Sequence, residues 1–292
     1  SHEIIRTWAF YTIAKAMLHD NSIPWKHVAI SDWVLDPDRK KMSKSKGNVV
    51  TPLHLLDEYG SDAVRYWSAN ARLGTDTAFD QNVLKVGKRL VTKLFNAGKF
   101  VLAQTAEPHP ITRPLDLAFL SALAQTAENA TRAMERWDHA GALSEAEQFF
   151  WRGFTDNYLE LVKARARSES DAEGRGSAVA ALRLALKTLL QLFAPFLPFI
   201  TEEVWSWSFA DETGASSIHR SPWPHLPAGD GDPALFETAI ACFAAVNRAK
   251  SEASVSIGRP VANLTLAAGG ETLTRVKAVL DDVVGAVRGA GC

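Results

Sequence analysis

Cysteine is scarce in this chain, with only Cys242 and Cys292 among 292 residues, and this excludes a fold held together by several disulfides. A low cysteine content is typical of proteins in a reducing compartment, and we therefore expect a cytoplasmic protein. Uninterrupted apolar runs of about 18 residues are also missing, and no segment is therefore predicted to span a membrane. The eight histidines have no cysteine or histidine partners at ligand spacing, which predicts no metal site.

Net charge is almost absent, at −1, but it is unevenly distributed along the chain. Residues 1–103 carry 15 Lys and Arg against 10 Asp and Glu, whereas residues 104–200 carry a net −2 and residues 201–292 a net −4. A polyanionic partner would therefore meet mainly the first third of the chain. The overall composition, 47% apolar and 22% charged, is that of a globular protein with room for two or three domains.

Periodicity and turn residues predict a mixed α/β segment at the start of the chain. Residues 3–19 are predicted as a largely buried helix and residues 28–35 as a strand rich in Val, Ile and Trp. Thr51 and Pro52 fit the N-cap and first position of the next helix. A strand followed by helices indicates an α/β segment at the start of the chain.

The rest of the chain is predicted to be mainly helical. Short connections between helices, one of them opened by Pro114, favour an antiparallel α-helical bundle over residues 81–224. Residues 225–292 are predicted as a small α/β cap, with a strand at residues 261–266 between two helices. The predicted fold class is thus mainly α, with a partial α/β segment before the bundle and a small α/β cap after it.

A lysine-rich loop follows the predicted strand and contains Lys41-Met42-Ser43-Lys44-Ser45. Two lysines three residues apart, interleaved with hydroxyls and followed by Gly47, can place ammonium and backbone N–H groups around a polyphosphate. Mobile lysines can also neutralise the charge that builds up as pyrophosphate leaves an α-phosphate. A solvated basic loop without a ligand is the alternative interpretation.

A helix predicted over residues 83–102 separates into two faces at about 100° per residue. The apolar face is expected to pack into the bundle and consists of Leu84, Val86, Leu90, Val91, Leu94, Phe95 and Val101. The opposite face consists of Lys85, Lys88, Arg89, Lys93, Asn96, Lys99 and Phe100. Cations with an amide and an exposed aromatic ring suit phosphate contacts and the stacking of an unpaired base, although a solvated helix face gives a similar pattern.

Other aromatic residues are predicted to be structural. The run at residues 149–158 contains five aromatic side chains, but their spacing favours packing in the core over contact with nucleic acid. Trp205, Trp207 and Trp223 are likewise expected to pack within the protein.

The string Lys41-Met42-Ser43-Lys44-Ser45 matches the KMSKS signature of class I aminoacyl-tRNA synthetases, and nearly the whole chain resembles that family. SHEIIRTW at residues 1–8, FLPFITEEVW at 196–205 and SIHRSPWP at 217–224 are similar to the valyl branch. The resemblance implies the end of a class I catalytic domain, a partial Rossmann-type α/β segment over residues 1–80, followed by a helical anticodon-binding domain over residues 81–224. It also implies a part in a valine–tRNA ligase, which activates valine with ATP and transfers it to tRNA.

The resemblance also implies roles for individual residues. In the family, the second lysine of the signature contacts ATP. The resemblance therefore assigns catalysis to Lys41 and Lys44. It assigns ATP binding to Lys41, Met42, Ser43, Lys44 and Ser45. Trp8 aligns with a wall of the amino-acid pocket and Glu3 with an acidic residue that faces the adenylate ribose. The cationic helix corresponds to one that lies against the anticodon stem-loop. Expected partners are ATP carrying its own Mg²⁺, L-valine and tRNA(Val), with the protein a monomer.

Two features of the family are absent from these residues: the partner signature His-x-Gly-His and an editing insertion. We therefore expect the C-terminal part of a synthetase, which cannot activate valine by itself. One alternative is a free-standing tRNA-binding module without catalysis. Another is the equivalent part of an isoleucyl- or leucyl-tRNA synthetase.

Overall fold

A computed structural model describes residues 2–227 and 229–288, and Cys292 lies outside this range. The chain divides into two compact units, one made of Ser1–Thr92 with Arg132–Leu143 and the other of Lys93–Thr131 with Ser144–Cys292. Helices dominate the described residues, and one small parallel sheet accompanies them.

The first unit begins with a 3₁₀ helix, His2–Arg6, followed by α1 (Trp8–Asp20). The prediction of one largely buried helix here is wrong. Thr7 interrupts the helix with φ −117° and ψ −93°, and Ala9 is the one buried residue of α1. Apolar side chains occur all around this segment, and the described residues of the unit cover only one side of it.

The sheet consists of β1 (Val34–Leu35) and β2 (Thr77–Ala78), which run parallel with Val34 opposite Thr77. The strand predicted over residues 28–35 is therefore reduced to its last two residues, because its partner strand is equally short. Parallel strands require a crossover connection. Residues 36–76 form that crossover and contain the lysine-rich loop, α2 (Leu53–Tyr59) and α3 (Ser61–Ala69).

A small core joins these helices to the beginning of α4 (Gln81–Leu102) and contains Leu55, Tyr59, Ala63 and Leu84. Helix α2 begins at Leu53, one residue later than predicted, with Pro52 in the N-cap position. Helix α4 approaches α3 closely, since a Cβ atom on Gly87 would lie 2.8 Å from Cδ1 of Tyr66.

The chain continues through helices α5 to α12. Their bounds are α5 Pro114–Glu135, α6 His139–Gln148, α7 Leu159–Val162, α8 Ala172–Phe193, α9 Pro198–Ser206, α10 Phe209–Thr213, α11 Pro233–Glu252 and α12 Gly270–Arg288. The predicted helix start at Pro114 is confirmed. A π-helical segment, Phe149–Tyr158, connects α6 to α7, and a 3₁₀ turn, Arg165–Arg167, follows α7.

Aromatic rings fill the core of the second unit, which confirms the structural interpretation of residues 149–158. Phe119 of α5 stacks on Tyr158 with ring centroids 3.6 Å apart, and Phe150 and Phe154 are fully buried. Helix α8 passes beside them. It is long and apolar enough to cross a membrane by length and composition alone, but 72% of its apolar window is buried inside the protein, as in the core helix of a globular domain.

The last part of the described chain is helical, so the predicted α/β cap is wrong. Residues 261–266 have no regular secondary structure, because no described strand lies beside them to accept their backbone hydrogen bonds. Helices α11 and α12 pack against each other instead. The buried Lys250 supports this pairing, since its ammonium donates to the carbonyl oxygens of Ile257, at 2.6 Å, and of Val287 in α12, at 3.3 Å.

Candidate functional site

The lysine-rich loop is closed at its base by a pair of polar side chains, Asp36 and Asn48. Asn48 Nδ2 donates to Asp36 Oδ2 at 2.7 Å, and Asn48 Oδ1 accepts from the backbone N–H of Ser43 at 2.9 Å. Asp36 Oδ1 accepts from the Lys40 N–H at 2.7 Å. The Asn48 hydrogen bond, followed by the backbone N–H of Lys40, lowers the pKa of the Asp36 carboxyl. The closed base therefore favours an ionised Asp36.

The centre of the loop is a single 3₁₀ turn, Lys44–Lys46, that Gly47 ends with φ +69°. Few residues other than glycine adopt this conformation without strain. The hydroxyls of Ser43 and Ser45 lie 2.7 Å apart on one side of the turn. Lys44 is exposed, and its ammonium makes no hydrogen bond or ion pair with any residue that the structure describes. The turn thus presents a positive charge beside two hydroxyls.

Lys41 and Glu3, both predicted site residues, are brought together by the fold. The Lys41 ammonium donates to Glu3 Oε1 at 2.9 Å and lies 4.3 Å from the ring centroid of Trp33. This hydrogen bond is the largest cause of a lowered pKa for the Glu3 carboxyl. Lys41 already has an anionic partner, whereas Lys44 and its neighbour Lys46 carry charge at the tip of the loop without an ion pair to any described residue.

Trp8, at the start of α1, presents a flat aromatic surface. Its ring stacks on Trp25 with centroids 5.2 Å apart and planes 3° apart, yet 55% of the residue is exposed. Among the described residues, no hydrogen bond or ring contact joins Trp8 to the lysine-rich loop. The fold therefore does not itself connect this predicted pocket wall with the predicted ATP residues.

The predicted cationic face begins in the first-unit part of α4, where Lys85, Lys88 and Arg89 are all exposed. Lys88 is engaged within the protein, since its ammonium donates to the Glu58 carbonyl at 2.8 Å and lies 5.9 Å from the Tyr59 ring centroid. Lys85 and Arg89 are thus more available to a polyanion than Lys88.

The second-unit part of α4 differs from the prediction at two aromatic residues. Asn96 and Lys99 are exposed as expected. Phe100, expected at the surface, is partly buried, whereas Phe95, expected in the core, is 38% exposed. The helical periodicity gave the angle of each side chain around α4. It could not show which other segments lie beside each position.

Cations from another segment cover the ring of Phe100. The guanidinium of Arg167 lies 5.3 Å from its centroid and the Lys163 ammonium 5.9 Å away. In the same unit, the Lys93 ammonium lies 5.7 Å from the ring centroid of Trp151. The alternating basic residues Lys163, Arg165 and Arg167 were the sequence signal for these extra cations, and it was missed because they are far along the chain from α4.

Metal ligands are not grouped in the described part of the chain, where no three His, Cys, Asp or Glu side chains come together in a way that could hold an ion. The arrangement as a whole offers an exposed ammonium beside hydroxyls in the first unit and a cationic, aromatic helix face in the second.

Two family models match the chain. Residues 1–80 match the class I tRNA synthetases of the I, L, M and V group, and residues 116–265 match the anticodon-binding domain of tRNA ligase.

Individual relatives agree with these matches. The chain is 47% identical to the valine–tRNA ligase of Thermobifida fusca over 98% of its own length, and 42% identical to that of Bifidobacterium longum (strain DJO10A) over 99%. It covers 33% and 34% of these relatives, so it spans about a third of the length of the curated proteins it matches. A crystal structure of a ternary complex of the Agrobacterium radiobacter K84 agnB2 LeuRS with tRNA and LeuAMS matches 74% of the chain and 27% of that protein, with a TM-score of 0.54 and 21% identity. This likeness concerns the fold.

Proposed function

The chain belongs to the class I tRNA synthetases and carries their anticodon-binding domain, and from this premise we propose that it is part of a valine–tRNA ligase. The observation that carries the proposal is the intact KMSKS string on an exposed turn whose Lys44 ammonium has no partner among the described residues. The whole enzyme would join valine to ATP with release of pyrophosphate, and would then transfer the valyl group to tRNA(Val).

The lysine-rich loop would act on the first of these reactions. The valine carboxylate attacks the α-phosphate of ATP, and negative charge accumulates as pyrophosphate leaves with the Mg²⁺ that ATP carries. Lys44 can neutralise that charge without first breaking an ion pair, and the Ser43 and Ser45 hydroxyls can donate to phosphate oxygens. The hydrogen bond from Asn48 to Asp36 holds the base of the loop while its tip contacts the nucleotide.

The pair of Lys41 and Glu3 would rearrange when the nucleotide binds. Both side chains are about half exposed, and their ion pair is weak in such a setting. A phosphate can therefore replace Glu3 as the partner of Lys41, which leaves the Glu3 carboxylate to accept a hydrogen bond from a ribose hydroxyl. Trp8 would supply an apolar wall for valine, whose side chain requires no hydrogen bond.

Helix α4 would contribute to the binding of tRNA(Val). Lys93, Asn96, Lys99 and Phe100 lie on one side of its second-unit part, and Lys163 and Arg167 add two cations beside them. Such a surface contacts phosphates and unpaired bases. Lys85, Lys88 and Arg89 on the first-unit part would add phosphate contacts. We propose that the enzyme acts as a cytoplasmic monomer.

The test is Lys44→Ala in the complete enzyme, measured by valine-dependent exchange of pyrophosphate into ATP. Loss of one preorganised charge-stabilising group predicts a fall of about 10²-fold to 10³-fold in rate. Lys46→Ala is the matched control, since it removes the same charge from the same turn outside the five-residue signature, and a much smaller fall is expected.

Equal rates for wild type and Lys44→Ala would contradict the ATP role. Exchange that depends on isoleucine or leucine in place of valine would assign the chain to those synthetases. A full-length protein that binds tRNA and shows no amino-acid-dependent exchange would be a binding module.

A further inference from the structure

Two aromatic side chains form an exposed pair in the second unit, away from Phe100. Phe95 of α4 and Trp207, which follows α9, are 38% and 37% exposed. Their ring centroids lie 5.2 Å apart with the planes at 83°, so the edge of one ring faces the plane of the other. Both residues were predicted to pack in the interior, so their partial exposure requires an explanation.

The position of this pair is fixed by close packing beneath it. A Cβ atom on Gly98 would lie 2.7 Å from Cγ1 of Val204, so the glycine brings α4 and α9 into direct contact. Trp205, next to Val204, is fully buried and its indole N–H donates to the Ala215 carbonyl at 2.9 Å. The Trp207 indole N–H donates to Glu203 Oε1 at 3.1 Å. The rings are therefore held in place before any ligand binds.

The surroundings of the pair differ from those of a hydrophobic protein interface. Two exposed polar residues contact it, Glu203 on α9, which accepts the Trp207 indole N–H, and Lys99 on α4. The Lys99 ammonium lies 5.7 Å from the Phe95 ring centroid. A small aromatic surface framed by hydrogen-bonding groups and a cation fits a flat heterocycle whose edge is polar and whose neighbouring phosphate is anionic.

We propose that the Phe95–Trp207 pair is a stacking site for an unpaired base of the bound tRNA, with Lys99 contacting the adjacent phosphate. This inference rests on the proposed function, and it assigns stacking to residues other than Phe100. The ring of Phe100 already has the Arg167 guanidinium 5.3 Å and the Lys163 ammonium 5.9 Å from its centroid. Trp207 and Phe95 already expose aromatic surface.

The test uses the 292-residue chain with two RNA probes, a hairpin with a seven-nucleotide loop and a duplex of the same stem without a loop. Trp207→Leu is expected to weaken hairpin binding by about 5-fold to 100-fold, as expected for the loss of one stacked base. Duplex binding should change by less than about 2-fold, because phosphate contacts carry it. Trp207→Phe keeps an aromatic surface and should restore most of the hairpin affinity.

A second measurement follows RNA binding by wild type, and a variant serves only to assign the signal. In wild type labelled with 5-fluorotryptophan, the ¹⁹F signal of Trp207, identified by its absence from Trp207→Phe, should shift when the hairpin is added and stay in place with the duplex. Hairpin binding without that shift, or unchanged hairpin affinity in a folded Trp207→Leu, would overturn the stacking site alone. Failure of wild type to bind either RNA would overturn the proposed function as well.

Discussion

Single side chains decide where charge is available in this protein. In the lysine-rich loop, Glu3 neutralises Lys41 while Lys44 has no such partner among the residues that the structure describes, although the two lysines look equivalent in the sequence. On Phe100, two cations occupy the ring that sequence analysis assigned to a base. Residue type alone therefore does not show which of these charges and rings are available to a ligand.

Asp171 provides a prediction about pH. It is the N-cap of α8, where Oδ1 accepts from the Gly174 N–H at 2.9 Å, and Arg113 donates to both carboxylate oxygens. The Gly174 hydrogen bond, followed by Arg113, lowers the pKa of Asp171 below its ordinary value of 3.8. A lowered pKa means that ionised Asp171 stabilises the fold above that ordinary value, and that this stabilisation is lost as the pH falls through the lowered one.

Asp171→Asn should therefore lower the free energy of unfolding at neutral pH by no more than about 1 kcal/mol, because it keeps a capping oxygen but loses the ion pair. Asp171→Ala should cost about 1 kcal/mol more, since it also removes the cap. Urea unfolding followed between about pH 7 and pH 3 measures both effects. The difference between wild type and Asp171→Asn should shrink at the acid end, and a constant difference would contradict the assigned pKa direction.

Five elements of the second unit meet at a buried charge cluster around Arg165. Its guanidinium donates to both oxygens of Asp116 in α5, at 2.7 and 2.8 Å, and to Asp282 in α12, at 2.7 Å. Asp116 also accepts from Tyr158, at 2.7 Å, and from Ser177 in α8, at 2.6 Å. Burial raises the pKa of Asp282, and the Arg165 charge opposes that shift. The cluster ties α5, α8 and α12 to the turn that carries Arg167.

Arg165→Met should reduce the free energy of unfolding by about 3–5 kcal/mol, because two buried carboxylates lose their cation. Chemical denaturation monitored by circular dichroism measures this. The matched control is Arg167→Met, two residues further on and exposed, which removes a cation–π contact and should cost no more than about 1 kcal/mol. Similar losses in the two variants would show that the buried cluster does not stabilise the unit.

Elements defined by local chemistry were predictable from the sequence. Pro114 opens α5 as expected because proline fits the first helical position. The strand at residues 261–266 was wrong because a strand forms only where a distant segment pairs with it, and alternation within one segment carries no information about that partner. The π-helical geometry of Phe149–Tyr158 was not predicted either, and rings of this segment pack on Phe119 and Phe236 from other helices.

In the candidate site, too, local sequence patterns were readable whereas contacts between distant segments were not. The five residues of the signature identify the loop, but the Asn48–Asp36 hydrogen bond and the Trp33 ring beneath Lys41 follow from the fold. On α4, periodicity placed Phe95 on the apolar side and Phe100 on the polar side. Their actual exposure depends on residues outside α4, since Phe95 contacts Trp207 and Phe100 contacts Arg167. The periodicity of α4 contains no information about those segments.

For the molecule as a whole, the functions of binding and catalysis should be separable. The isolated 292-residue chain is expected to bind tRNA(Val) because the α4 cations and aromatic residues are all present in it. Its affinity should fall about tenfold or more between about 50 mM and 200 mM salt, because lysine and arginine contacts release counterions from phosphates. The same preparation should show no valine-dependent pyrophosphate exchange, and filter binding with an exchange assay checks both.

Two outcomes would contradict this separation. Exchange by the isolated chain would show that the first unit holds valine and ATP without further residues. Binding that is insensitive to salt would show that α4 does not act through phosphate contacts. Charge-neutral variants of Lys85 and Arg89 provide an internal comparison, because each should reduce the salt dependence slightly.

The closed base of the lysine-rich loop determines what happens if a protease cuts the backbone at the tip of the loop. Asp36 and Asn48 hydrogen-bond across the loop, and Leu35 pairs with Ala78 beyond it, so both ends of the loop are held without the peptide bonds at its tip. Lys44 and Lys46 are exposed at that tip, where a trypsin-like protease cleaves. A chain cut there would separate into two pieces in denaturant yet stay one particle in native buffer, with the lysine-rich loop severed and helix α4 intact.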